Sequence, residues 1–112
     1  MDSQTLLSKK KEGYIYIVAN SAWPDYYKLG VTHDIKARLR TYQTSSPYRN
    51  YEVKYYIQHP DCYVAERKIH EKLRPFATDK KNEWFKVAYL IIKDKVDESL
   101  ISDEIPIDIY KK

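Results

Sequence analysis

Two runs separated by a short connection, GYIYIVAN (13–20) and YYKLGVT (26–32), constrain the fold more than any other part of the chain. In the first, Tyr14, Tyr16 and Val18 fall on one face of an extended backbone and Ile15, Ile17 and Ala19 on the other. This period-2 arrangement of β-branched and aromatic residues makes a strand. The second run sets Leu29 and Val31 opposite Lys28 and Gly30. The intervening 20–25, with Trp23-Pro24, is turn material. The pair is therefore expected to form an antiparallel hairpin.

Beyond the hairpin the periodicity changes. Thr32 and Asp34 offer side-chain oxygens that can cap a helix starting near Ile35. Its apolar stripe is Ile35, Leu39 and Tyr42, within about 60° on the helical wheel, with Arg38 on the border and Lys36 and Arg40 outside. The Ser-Ser-Pro at 45–47 ends it. A third strand, YEVKYYIQH, alternates Val53, Tyr55 and Ile57 with Glu52, Lys54, Tyr56 and Gln58. Pro60-Asp61 opens a second helix that stops at Leu73, ahead of Pro75. Asn82 is read as the cap of a third helix running through Trp84, Val87, Ala88, Leu90 and Ile91 to about Leu100, with Glu83 in its first turn. From Ser102 onward Ile105, Ile107 and Ile109 alternate with polar residues, either as a short edge strand or lying along the surface. The expected fold is a small α+β domain over 13–100, with about three strands and three flanking helices. A polar Lys-rich arm (1–12) precedes it and an extension (101–112) follows.

Composition narrows the function. Gly13 and Gly30 are the only glycines in 112 residues, and neither opens a Lys-Ser/Thr phosphate loop or a dinucleotide fingerprint, so a nucleotide cofactor is not expected. A single cysteine, Cys62, excludes a disulfide framework and any zinc site with two thiolates. No stretch approaches the roughly 20 apolar residues that span a bilayer. Leu6-Leu7 ahead of three lysines is no secretory signal. An intracellular, soluble protein with no membrane partner is expected. Lys and Arg total 20 against 16 Asp and Glu. The excess is concentrated in residues 1–75, with 13 basic and 8 acidic side chains, so nucleic acid is a plausible partner.

The second helix contains a conflict. Cys62, Ala65, Ile69 and Leu73 form its apolar stripe, and Glu66 falls about 20° from Leu73 instead of among Arg67, Lys68, Glu71 and Arg74. A carboxylate directed at the core needs a cation, a metal or an ion-pair partner. His70 lies one turn on, on the same side. Either a metal-binding site or a partly buried ion pair satisfies the pattern.

Taken in order, GYIYIV, YKLGVT, RLRTY and AERKIH resemble the GIY-YIG endonuclease superfamily over about residues 13–87. Ile15-Tyr16 is similar to the end of the first signature, with its glycine displaced to Gly13, and Leu29-Gly30 to the end of the second. Arg38 and Tyr42 match the helical arginine and the tyrosine four residues on, and Glu66 the helical glutamate that binds the metal. Lys28 replaces the second signature tyrosine. That lysine, Glu66-x-x-x-His70 and Asn82-Glu-Trp-Phe are similar to a phage and large-DNA-virus branch often labelled DNA-binding.

The resemblance implies a metal-dependent DNA endonuclease, phage or virus encoded or acting on such DNA. Glu66 would hold one Mg²⁺ or Mn²⁺ and Arg38 would clamp a phosphate oxygen. Tyr16 would orient or deprotonate the water if a cation lowers its pKa from about 10. Lys28 would serve as a base or phosphate contact, Tyr42 would complete the pocket, and His70 would stand beside the metal ligand. Lys36, Arg40 and Lys28 would contact the nucleic acid. The alternative is a non-cleaving DNA-binding module with the same basic groove. Singly, Tyr16 and Tyr42 also read as core tyrosines, Arg38 as a border arginine and Lys28 as a solvated strand residue. A domain of this size is expected to borrow sequence specificity, if it has any, from a protein partner.

Overall fold

The computed structural model describes residues 12–100. Eight elements follow in the order β1 (Gly13–Asn20), β2 (Tyr26–Thr32), α1 (Ile35–Thr44), β3 (Tyr51–His59), α2 (Cys62–Leu73), β4 (Asp79–Lys81), β5 (Trp84–Lys86) and α3 (Tyr89–Glu98). The expected hairpin is present, with Tyr16 opposite Gly30 and Val18 opposite Lys28. Strand β3 pairs antiparallel with the other edge of β1, with a bulge between Ile17 and Val18. The central position of β1 explains why its residues 15–18 are all at most 1% exposed.

The sheet has five strands in the order β3-β1-β2-β5-β4, where about three were expected. The additional two come from the segment read as the start of the third helix. Asn82 does not cap a helix: it adopts a left-handed backbone (φ 57°) in the Asn82-Glu83 turn joining β4 to β5. Asparagine tolerates that region better than most residues. The strand alternation follows, with Phe85 buried between half-buried Trp84 and exposed Lys86. The third helix begins only at Tyr89. The Lys-rich arm, apart from Glu12, and the alternating isoleucines after Ser102 lie outside the described residues.

Helices cover both faces of the sheet. On one, Ile15, Ile17, Leu29 and Phe85 form a single core with Cys62, Ala65, Ile69 and Leu73 of α2 and with Ile92 and Val96 of α3. The α2 stripe buries as its spacing predicts. On the other face lie the alternate residues Tyr16, Lys28 and Gly30, and α1 packs there through side chains that are only half-buried. Asp34 caps α1 by accepting from the Ala37 amide at 3.0 Å. Thr32 instead bonds the Asp34 backbone. Among the described residues no helix is long and apolar enough to cross a membrane.

On the α1 face the tightest constraint is at Gly30. A Cβ there would stand 2.5 Å from Tyr16 Cζ and 3.0 Å from Cε2. We expect Gly30→Ala to lower the unfolding free energy by about 1–3 kcal/mol, as overpacking does, measured by urea denaturation. An unchanged or higher midpoint would show that the Tyr16 ring is not fixed over the glycine.

Candidate functional site

Strand alternation turns Tyr16 toward α1, and residues four apart on that helix meet it there. The Tyr16 and Tyr42 hydroxyls share a hydrogen bond at 3.0 Å. Arg38 Nη1 donates to the Tyr16 hydroxyl at 3.4 Å. Their rings pack edge to face at 6.3 Å between centroids. Lys28 Nζ lies 5.5 Å from the centre of the Tyr42 ring and 3.0 Å from Glu83 Oε1. Tyr16, Lys28, Arg38 and Tyr42 thus converge, as the sequence suggested they would. Lys36, Arg38 and Arg40 are exposed on α1, so the basic side of the helix adjoins this cluster.

Glu66 and His70 form a second pair. His70 Nε2 is 3.7 Å from Glu66 Oε2, and both side chains are about one-quarter exposed. The His70 ring packs 5.2 Å from that of Phe85, which belongs to the core shared with α2. This pair therefore stands on the α2 side of the sheet, while the tyrosines stand on the α1 side. Lys28 is the last residue of β2 with a partner in β5, and the Asn82-Glu83 turn sits at that point. Glu83 has its carboxyl held below the usual carboxylate range, chiefly by its hydrogen bond to Lys28 and the lysine's charge, with His70 contributing. Glu83 thus couples to both groups. Sequence reasoning assigned it to a helical first turn. A polar pair between Lys80-Lys81 and Trp84-Phe85 was the available signal for a hairpin.

The protonation of Tyr16 differs from expectation. Burial, then the Tyr42 hydroxyl, pushes its pKa well above the ordinary tyrosine value, and Arg38 only partly opposes this. Tyr42 shifts the same way, mainly through burial. Both phenols stay protonated at neutral pH; one donates to the other, so a single O–H of the pair is left to orient a water or phosphate oxygen, and Tyr16 is not a ready base.

Aromatic rings extend the cluster sideways. Tyr42 packs on Tyr51 at 5.0 Å, Tyr51 on Trp84 at 6.3 Å, and Trp84 on Trp23 at 5.6 Å.

Among comparisons with known proteins, a family model described as the T5orf172 domain matches residues 13–100. This corrects the GIY-YIG resemblance, since T5orf172 is a distinct domain family and no GIY-YIG family matches. The departures at Gly13 and Lys28 accord with the correction. No curated protein and no solved structure matches.

A raised tyrosine pKa has a stability consequence. Tyr16 ionises near pH 10 when unfolded and only at higher pH when folded. Its contribution is therefore complete below about pH 10 and is lost as the pH rises beyond that. Denaturant midpoints should fall between about pH 10 and 12, and Tyr16→Phe should flatten that fall.

Proposed function

We propose that this chain, which belongs to the T5orf172 domain family, acts on DNA by hydrolysing its phosphodiester bonds with the help of a divalent metal ion. The family is one of nuclease-like and DNA-binding domains. The observation that carries the reading is the exposed Arg38 guanidinium hydrogen-bonded at 3.4 Å to the Tyr16 phenol, which in turn shares a hydrogen bond at 3.0 Å with the Tyr42 phenol. These are donors, and they suit an oxyanion. Phosphodiester hydrolysis needs them, because negative charge builds on the non-bridging oxygens as water attacks and the leaving oxygen departs.

Arg38 fits the role of phosphate clamp through its planar fork. One of the Tyr16 and Tyr42 hydroxyls donates to the other, so the second would donate to another phosphate oxygen or hold the attacking water. Lys28, carrying its charge against Glu83, would contact the phosphate and not serve as base. Lys36 and Arg40 would follow the backbone through phosphate contacts that carry no sequence information.

The donor set suits a sparsely coordinated ion. Glu66 presents a partly exposed carboxylate with His70 beside it. Among the described residues no group of three or more His, Cys, Asp or Glu side chains is gathered. A single carboxylate suits Mg²⁺ or Mn²⁺, held by that carboxylate, waters and the substrate's phosphate. When bound, the ion would neutralise developing charge and make a coordinated water more acidic. His70, beside that carboxylate, would be the general base.

A second reading has its own support. Tyr16 is kept protonated and Lys28 is held by Glu83, which leaves the α1 cluster with hydrogen-bond donors and no base. Such a cluster binds DNA whether or not it cuts.

Supercoiled plasmid and single-stranded DNA, each incubated with the protein in Mg²⁺ or EDTA, separate the two. The hydrolase reading expects cleavage that EDTA abolishes and that Arg38→Ala and Glu66→Ala each reduce about 10²–10³-fold. Retention of DNA that weakens steeply with salt, without cleavage in either metal condition, overturns hydrolysis in favour of the binding module.

A further inference from the structure

We propose that the pocket between the β1–β2 connection and the β4–β5 hairpin is a base-binding subsite for single-stranded DNA, receiving one unpaired nucleobase while the strand continues toward Arg38. The proposal rests on the DNA-acting reading and adds to it the class of substrate.

The pocket measures 350 Å³ and is lined by Trp23, Tyr26, Lys81, Asn82 and Trp84. Three of these five are aromatic. Trp23 is 47% exposed, so a large apolar ring faces solvent. The two indoles are inclined at 64° with centroids 5.6 Å apart. In this edge-to-face arrangement the edge of one indole meets a face of the other, which leaves the remaining faces for a flat ring entering the pocket to stack on. The wall is held in place: the Tyr26 hydroxyl donates to Asp79 Oδ2 at 2.6 Å, and the Asn82 carbonyl accepts from Lys80 Nζ.

The polar groups specify the occupant further. An asparagine side chain presents a donor and an acceptor together, the complement of a base's hydrogen-bonding edge. Lys81 supplies a cation for a flanking phosphate. In a duplex, stacking covers the faces of each base and pairing takes its Watson–Crick edge, so an unpaired base enters at far lower cost. The row Trp23, Trp84, Tyr51, Tyr42, Tyr16 connects the pocket to the Arg38 cluster with every adjacent pair of centroids 5.0–6.3 Å apart. Aromatic platforms beside cations are how proteins hold single strands.

The chain has two tryptophans and both line this pocket, so intrinsic fluorescence reports on it directly. The full chain would be titrated with a labelled oligothymidylate of about 12 nucleotides, an abasic strand of the same length and a duplex, reading anisotropy and tryptophan emission together. The oligothymidylate should bind about 5- to 150-fold more tightly than the abasic strand and alone should quench the indoles. Trp23→Ala and Asn82→Gly should each bring its affinity toward that of the abasic strand. Equal affinity and quenching by the two strands, or preference for duplex, would overturn the pocket while leaving DNA binding intact. Absence of any binding would overturn both readings.

Discussion

Gly30 makes the rest of the site possible. Tyr16 lies across its Cα, and the space a methyl group would take is filled by the phenol ring. Cross-strand pairing puts the two residues opposite each other, so the ring bridges the hairpin and carries its hydroxyl to α1. Any side chain at position 30 would push that hydroxyl away from Tyr42 and Arg38. The glycine is needed here for close approach and not for an unusual backbone angle, since the positive φ values in the described residues belong to Arg49 and Asn82.

Burying a phenol under a helix sets its chemistry. Desolvation disfavours the phenolate more than the single arginine favours it. The cluster therefore offers hydrogen-bond donors outward, with Arg38 exposed at its rim. Lys28 is matched by Glu83, whereas Lys36, Arg38 and Arg40 stand exposed along α1, a helix with no acidic residue. Such a surface attracts a polyanion, and its specificity has to come from elsewhere on the domain.

Much of this was legible in the sequence where the periodicity is local. The hairpin, α1 and α2 stand where alternation and helical stripes put them, and the misplaced Glu66 does pair with His70. The failure at 79–88 has a definite cause. Asn82 is equally suited to cap a helix and to take a left-handed turn, and three-residue strands are too short to show a period of two. The outcome was decided by Phe85, which completes the core between α2 and β2. The separation of Glu66 from Tyr16 by the sheet was likewise beyond reach, because it depends on which face each helix covers and not on the order of motifs.

The β4–β5 hairpin is also what arranges part of the chain's twelve tyrosines and two tryptophans into a row. As a helix, 82–88 would have spread Trp84 and Glu83 around an axis. As a turn and strand it sets Trp84 opposite Lys28 on the Tyr16 face, with Phe85 buried on the other. One residue of register would exchange the two. Trp84 would then enter the core and Phe85 would face Trp23, losing the contact to Tyr51 that continues the ring row to Tyr42. The register of β5, fixed by the burial of Phe85, therefore determines whether the domain has an aromatic surface beside its basic helix.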